Sequence, residues 1–252
     1  MKAHSALLSL YHIESGRHRE ATMWHDADHK AEVIGSMETV FISQRWVTPP
    51  EWLPYRFGPT LSDGGGEYVN LYWSTSGPEE LQRDFTAFGQ QMTRVGRMKP
   101  VQYMTKTWPV GSSVPAAPVL AESRPGLEIS GSAVTASMTM TALMTVVEVI
   151  PDERERALFA HWHEQVYLPM VLGTGLFAGV AKLALVSPDE PGQFVTLYYF
   201  DAAEPADAYL RFKATAAQWG SEAELAPPVS PSYQLVFESL SRPSIGYYDI
   251  YA

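Results

Sequence analysis

The sequence predicts an α+β protein made of two tandem βαββαβ units, and three observations predict it. A Trp-bearing amphipathic segment, REATMWHDADHKAEVIG at 19–35, returns in altered form as ERALFAHWHEQVYLPMVLG at 155–173. A strand-like run, YVNLYWS at 68–74, returns as FVTLYYF at 194–200. Around both pairs, alternating and helical hydrophobic periods follow one another in the same order. Trp24 and Trp162 lie 138 residues apart, whereas Tyr68 and Phe194 lie 126 apart. The first copy therefore carries 12 extra residues, and they fall in 47–66.

The elements of the first copy read as follows. SALLSLY at 5–11 is a short buried strand, and 16–35 is a helix whose apolar stripe is Trp24, Ala27, Ala31 and Ile34, closed by Gly35. TVFISQRWV at 39–47 is β-branched and aromatic, hence a second strand. The segment 47–66 holds four prolines, a GGG run and the aromatics Trp52, Tyr55 and Phe57, and reads as a long loop with a sticky surface. Residues 67–74 form the third strand. A helix over 78–93 is opened by Pro-Glu-Glu, with acids suited to its N-terminal dipole, and 101–108 is a fourth strand. This order is the split unit of the ferredoxin-like fold.

Residues 109–137, rich in Pro, Ala, Gly, Ser and Val, read as a linker. The second copy repeats the order with strands at 139–150, 176–186, 193–201 and 233–240 and helices at 152–172 and 205–219, before a tail with three tyrosines. The domains are thus 1–108 with its insertion, the linker, and 138–252. Both helices of one unit cover the same sheet face, so the other face needs a partner. Two such sheets packed together make a dimeric α+β barrel, here fused in one chain.

The chain has 252 residues, 46% of them hydrophobic, enough for packed cores. A formal charge of -10 argues against a nucleic-acid partner and against an anionic membrane surface, since both need a basic face. The absence of cysteine excludes disulfides, zinc–thiolate sites and thiol nucleophiles. The N-terminal apolar run is too short for a signal peptide and no run is long enough to span a bilayer, so a cytoplasmic protein is expected.

Trp24-His-Asp-Ala-Asp-His29 and Trp162-His-Glu-Gln-Val-Tyr-Leu-Pro169 resemble the first helix of the EthD-like branch of the dimeric α+β barrel superfamily. Such helices often run Trp, His, a small residue, Pro; here only the second copy has the Pro, and Tyr167 stands where the His would be. The resemblance implies a superfamily with several chemistries: cofactor-free monooxygenases, lactone isomerases, polyketide cyclases and haem enzymes with duplicated barrels.

In this fold the pocket is expected between helices and sheet. At 100° per residue, Asp28 is the polar residue nearest the Trp24 stripe, with His25 and His29 further round. A carboxylate there is costly without a partner, and beside imidazoles it suits proton transfer. The competing reading is a solvated helix face. His25 and His29 have metal-pair spacing but no located third ligand, so no metal is assigned. On the third strand Asn70 and Tyr72 share a face and could polarise a substrate oxygen, or be satisfied core residues.

Five of the seven histidines precede residue 30, and only the first copy has the Trp52, Tyr55, Phe57 loop, which reads as a lid or alternatively as cover for a sheet edge or a dimer contact. The expected site is therefore in the N-terminal copy. His25, Asp28, His29 and Tyr72 are its catalytic residues, and Tyr11, Trp52, Tyr55, Phe57, Asn70 and Tyr103 are its binding walls. The expected function is cofactor-independent acid–base chemistry, of lyase, isomerase or cyclase type, on a small aromatic or polyketide-like substrate. Cofactor-free oxygenation, a haem enzyme with a His ligand, and a non-catalytic binder of hydrophobic ligands are the alternatives. A homodimer is compatible with the sequence.

Overall fold

A computed structural model describes residues 3–58, 67–106, 114–124, 141–186, 192–220, 225 and 233–244. These divide into two compact units, one drawn from 1–54, 59–118 and 241–252, the other from 55–58 and 119–240. Each unit therefore includes a short segment from the other half of the sequence.

In the first unit, β1 (Ser5–Ile13) is buried at every position, because it is paired on both sides. It runs antiparallel to β3 (Glu67–Ser74) and, on its other edge, to β4 (Met104–Lys106) and to the start of β5 (Val114–Ser123). β3 in turn pairs with β2 (Val40–Val47), giving the order β4-β1-β3-β2. A first helix, formed by α1 (His18–Met23), a π-helical segment (Trp24–His29) and α2 (Lys30–Ser36), precedes β2; α3 (Pro78–Arg94) follows β3. Leu7 and Tyr72 meet Val33 and Met37 from the first helix and Leu81 and Phe88 from α3 in one apolar cluster, so the sheet face carrying Asn70 and Tyr72 is the one under the helices. Each such buried side chain contributes about 1.5–3 kcal/mol.

The second unit repeats this plan. β6 (Leu143–Val149) and β7 (Phe177–Leu185) flank β8 (Gln193–Phe200), and β9 (Gln234–Pro243) lies beside β6, for an order β9-β6-β8-β7. The helix between β6 and β7 consists of α4 (Glu153–Trp162), a π-helical segment (His163–Tyr167) and α5 (Leu168–Gly173). The Asp152 carboxylate caps α4 by accepting from the Glu155 N–H at 2.9 Å. α6 (Pro205–Trp219) opens on proline, as α3 does.

Three local expectations change. The region 101–108 begins as a 3-10 turn over Lys99–Tyr103, because Pro100 can give no backbone N–H to a ladder. The segment 109–137 contains a strand, β5, whose first residues pair with β1. The third concerns the phase of the first helix. Ala27, Ala31 and Ile34 are exposed, and the buried face is Ala21, His25, His29, Val33 and Met37. In the π segment the Lys30 N–H bonds to the His25 carbonyl, five residues back, so the turn widens and a count made at the α-helical period loses phase. No helix among the described residues is long and apolar enough to cross a membrane.

Backbone conformation at one turn is unusually constrained. Gly192 has φ +87°, and a Cβ there would lie 2.1 Å from the Ile150 carbonyl oxygen. Gly192→Ala is expected to lose about 2–3 kcal/mol in denaturant unfolding, from strain plus collision. Gly16→Ala, at φ +77° but in open space, is expected to lose only about 1 kcal/mol. Equal losses at the two sites would contradict this account.

Candidate active site

The π turn sets the site geometry in both units. With i to i+5 bonding, residues five apart share a face. Trp24 therefore stacks on His29, centroids 4.5 Å apart, and Trp162 stacks on Tyr167 at 5.0 Å. The histidine after each Trp then turns down onto the sheet. His25 Nε2 lies 3.2 Å from the Tyr72 hydroxyl, and His163 Nε2 lies 3.2 Å from the Tyr198 hydroxyl.

In the first unit this dyad is the end of a closed buried network. His25 Nδ1 donates to the Asp26 carboxylate at 3.0 Å, which fixes the tautomer and leaves Nε2 to accept from Tyr72. Asp26 also accepts from Arg45 at 3.3 Å. Arg45 donates to the Tyr11 hydroxyl at 2.8 Å and to Thr22 at 3.3 Å, and lies 4.5 Å over the Tyr68 ring. Burial pushes the His25 imidazole down to about 4 and the Tyr72 phenol up to about 12. Burial would raise Asp26, but the His25 hydrogen bond and the Arg45 charge outweigh it, and its carboxyl stays ionised below its ordinary range. The carboxylate that serves the imidazole is thus Asp26.

Asp28 instead faces solvent, its side chain 49% exposed, 3.7 Å from Arg97. The same phase shift that buries His25 and His29 carries it outward. His25, His29, Tyr72 and Asn70 are brought together and buried; Tyr11 is buried too, held by Arg45 and stacked on Tyr68. Tyr103 lies apart, its ring under the Arg17 guanidinium at 4.6 Å. Trp52 is half-buried in a 3-10 turn over Pro50–Tyr55. Tyr55 and Phe57 do not cover the first unit's histidines. Two backbone hydrogen bonds of 2.8 Å join Phe57 to Glu238, and the Tyr55 carbonyl lies 3.0 Å from the Tyr209 hydroxyl, so both belong to the second unit. The remainder of the expected lid, 59–66, lies outside the described residues.

A cavity of about 180 Å3 lies in the second unit, walled by aromatic rings and by Glu148, His163, Tyr198, Tyr233 and Glu238. Strand register explains its chemistry. Tyr72 faces Leu7 and Ser43 across its ladders, and Tyr198 faces Met144 and Val180. Four residues further along the first strand, Tyr11 therefore corresponds to Glu148; two further along the second, Arg45 corresponds to Lys182. Glu148 Oε2 is 3.9 Å from Lys182 Nζ, and both side chains are buried. Burial raises the Glu148 carboxyl against the pull of Lys182, and lowers the Lys182 ammonium against the pull of Glu148. Lys182 Nζ sits between the rings of Phe159 and Phe194, at 4.7 and 4.8 Å. The Tyr233 hydroxyl approaches Glu148 Oε1 at 3.4 Å. Burial drives Tyr198 well above its ordinary range and His163 down to about 2, so one stays a phenol and the other a neutral imidazole. His163 Nδ1 has no hydrogen-bond partner among the described residues, and its tautomer is not pinned as that of His25 is.

A wider hollow, about 860 Å3, lies beside Asp201, Glu204, Asp207 and Arg211. It is an open surface depression in which no lining residue is buried. The enclosed aromatic cavity, with its buried ionisable groups, is the better site.

The chain thus holds two βαββαβ units, each with the strand order of the ferredoxin-like fold. No protein-family model matches the sequence, and no curated protein matches it. Solved structures do match. A protein assigned provisionally as a monooxygenase from Fusobacterium nucleatum subsp. nucleatum is 7% identical, with a TM-score of 0.54 over 96% of this chain and 94% of that one. Two variants of the chlorite dismutase of Candidatus Nitrospira defluvii are 10% and 12% identical, each with a TM-score of 0.50, covering 99% and 100% of this chain and 95% and 97% of theirs. At such identities the likeness is one of fold.

For haem, the sequence's alternative cofactor, the imidazole on this wall is His163, whose Nε2 is engaged with the Tyr198 hydroxyl and is not free to ligate iron. No metal-binding group of three ligands occurs among the described residues.

The buried histidines make stability depend on pH. His25 has an ordinary value of 6.5 and about 4 when folded, so on acidification the unfolded chain binds the proton first. Its contribution is complete above pH 6.5 and is lost as pH falls from about 6.5 to about 4, worth about 3 kcal/mol. His18, also lowered to about 4 by burial, adds in the same direction. Unfolding free energies measured across this window should fall steeply with acid, and His25→Gln should lessen the slope by about one proton. An unchanged slope in that variant would refute the assignment.

Proposed function

We propose that the protein is a cofactor-independent acid–base enzyme acting on a small aromatic substrate in the second unit's cavity. The observation that carries the reading is a buried carboxylate, Glu148, on the wall of a ring-sized cavity beside two phenols that stay protonated. For scale, an apolar cavity of about 150 Å3 accepts benzene, so about 180 Å3 suits one substituted ring.

In this reading Glu148 is the base. Its raised proton affinity makes it better matched to a weak carbon or phenol acid than a solvated carboxylate, while Lys182 at 3.9 Å offsets part of that rise. The substrate proton passes to the Glu148 carboxylate. The negative charge that develops on the substrate oxygen is met by the Tyr198 hydroxyl, which donates to it when His163 carries its proton on Nε2 and gives that N–H to the Tyr198 oxygen. His163, neutral and bonded to Tyr198, orients that hydroxyl. Exclusion of water by the surrounding rings strengthens each of these interactions. Return of the proton to another atom gives isomerisation or cyclisation. The same first step opens a second reading: an electron-rich carbanion or phenolate could pass electrons to dioxygen, as in cofactor-free oxygenation, and a neighbour in fold is assigned as a monooxygenase.

The test is deuterium exchange at acidic C–H positions of one-ring ketones and phenols, followed by NMR in heavy water. Glu148→Gln should slow exchange by about 10²–10⁴-fold, with rates in the wild type rising with pH through the Glu148 titration. Tyr198→Phe should slow it less. Exchange that is indifferent to Glu148→Gln in a folded variant would sink the proposal.

A further inference from the structure

If the second unit's cavity is the acid–base site proposed above, a further residue of its wall belongs to the chemistry. Three tyrosines line the cavity, Tyr167, Tyr198 and Tyr233. Two of the hydroxyls are engaged, Tyr198 with His163 Nε2 at 3.2 Å and Tyr233 with Glu148 Oε1 at 3.4 Å. The Tyr167 hydroxyl makes no hydrogen bond among the described residues. Nor is it shut away, as Trp162 Nε1 and His163 Nδ1 are, both buried without a partner; Tyr167 is half-buried and its oxygen keeps open space beside it.

That open space is on the cavity side. Tyr167 ends the π segment, five residues after Trp162, and three rings hold its own: Trp162 stacked at 5.0 Å, His163 at 5.6 Å and the edge of Trp219 at 6.1 Å. A ring locked by packing presents its hydroxyl in one preset direction. Burial raises the Tyr167 phenol well above its ordinary range, and the charges of Glu238 and Glu148, both on the cavity wall, raise it further, so the oxygen lies toward them and remains a donor. After burial, Tyr167 is the strongest influence on Tyr198, which makes the two hydroxyls neighbours. The first unit uses the same position differently. There His29 stacks on Trp24, and the rings of Phe85 and Phe88 pack around it, whereas the second copy has a longer ring with a donor at its tip.

We propose that Tyr167 is a catalytic residue, its hydroxyl the second donor, beside that of Tyr198, to the substrate oxygen on which charge develops when Glu148 takes the proton. An enolate or phenolate oxygen accepts more than one hydrogen bond, and sites that stabilise such charge aim several preset donors at it. No bond to Tyr167 is made or broken, and it keeps its proton throughout.

Acetophenone, labelled with carbon-13 at its carbonyl, is the probe, and the intact protein is compared with Tyr167→Phe, which keeps the ring and its stack on Trp162. Exchange of the methyl protons in heavy water should slow about 10²-fold in the variant. The infrared carbonyl stretch of the bound ketone, lowered by hydrogen bonding in the wild type, should move to higher frequency. Affinity for ethylbenzene, which has the size but no oxygen, should stay within about threefold. The inference is overturned if exchange and stretch both ignore Tyr167→Phe, or if ethylbenzene affinity falls as far as exchange does, as a purely structural role predicts. In Tyr198→Phe the stretch should remain below its value in cyclohexane, because the Tyr167 donor persists; a stretch at the cyclohexane value there overturns the inference even if Tyr167→Phe does not fold. Exchange that depends on Glu148 but not on Tyr167 overturns this inference alone. A stretch that responds to Tyr167→Phe, with exchange indifferent to Glu148→Gln, overturns the acid–base reading and supports the hydroxyl's bond to the substrate oxygen. A ketone that does not bind overturns both.

Discussion

Everything at the site depends on one local distortion, the π turn that follows each helix tryptophan. An α-helix over the same residues would place positions three and four apart on the sheet. The wider turn brings positions five apart into register, so that Trp24 stacks on His29 and Trp162 on Tyr167, and the histidine after each tryptophan, His25 or His163, reaches a tyrosine of the third strand. Turns of this kind forfeit regular helix bonding and tend to occur at functional sites. Its presence at Trp24 and again at Trp162 makes it part of the ancestral unit rather than an accident of one copy.

From that shared scaffold the copies diverge by what fills the space beside the dyad. In the first unit the imidazole is tied to Asp26, Asp26 to Arg45, and Arg45 to Tyr11, in one chain of hydrogen bonds. The apolar side is filled as well: Phe85 and Phe88 of α3 pack around His29. In the second unit Pro205 opens α6 as Pro78 opens α3, which aligns Phe88 with Thr215 and brings Ala216 to the cavity wall. A bulky ring is replaced by smaller side chains, and the volume becomes a hollow. Because a void forfeits contacts to all its lining atoms, the second unit carries a packing cost that a bound ring would relieve.

The sequence disclosed the topology well, since strand and helix periods and the offset between copies depend on residue type alone. Its reading of the site failed at a definite step. The helix was counted at a constant 100°, and the π turn, which depends on tertiary contacts with the sheet, shifted the phase; Asp28 went to solvent and the neighbouring Asp26 took its role. Concentration of histidines before residue 30 drew attention to the first unit, yet those histidines are largely buried and satisfied. The better signal was present in the other copy. Glu148 interrupts LMTVVEV and Lys182 interrupts FAGVAKLAL, two otherwise apolar strands in which a charge is almost always buried and paired. No pattern in the sequence could have revealed that Phe57 is captured by the second unit, because that pairing is made by backbone to Glu238.

The Glu148–Lys182 pair is hard to account for by stability. Taking two charges out of water costs several kcal/mol per ion, and hydrocarbon of the same volume does as well or better in many cores. The first unit shows what a stabilising solution looks like at the equivalent strand positions: Arg45 has a carboxylate, two hydroxyls and an aromatic face within reach, and its partner Tyr11 is uncharged when protonated. Among the described residues Lys182 has the Glu148 carboxylate at 3.9 Å and two rings beside it, and one oxygen of that carboxylate accepts no hydrogen bond. An ion pair held at such a distance, opening onto a cavity, is poorly made as a structural bond. It fits better the role of base proposed for it, because burial gives the Glu148 carboxyl a raised proton affinity on the wall of a cavity.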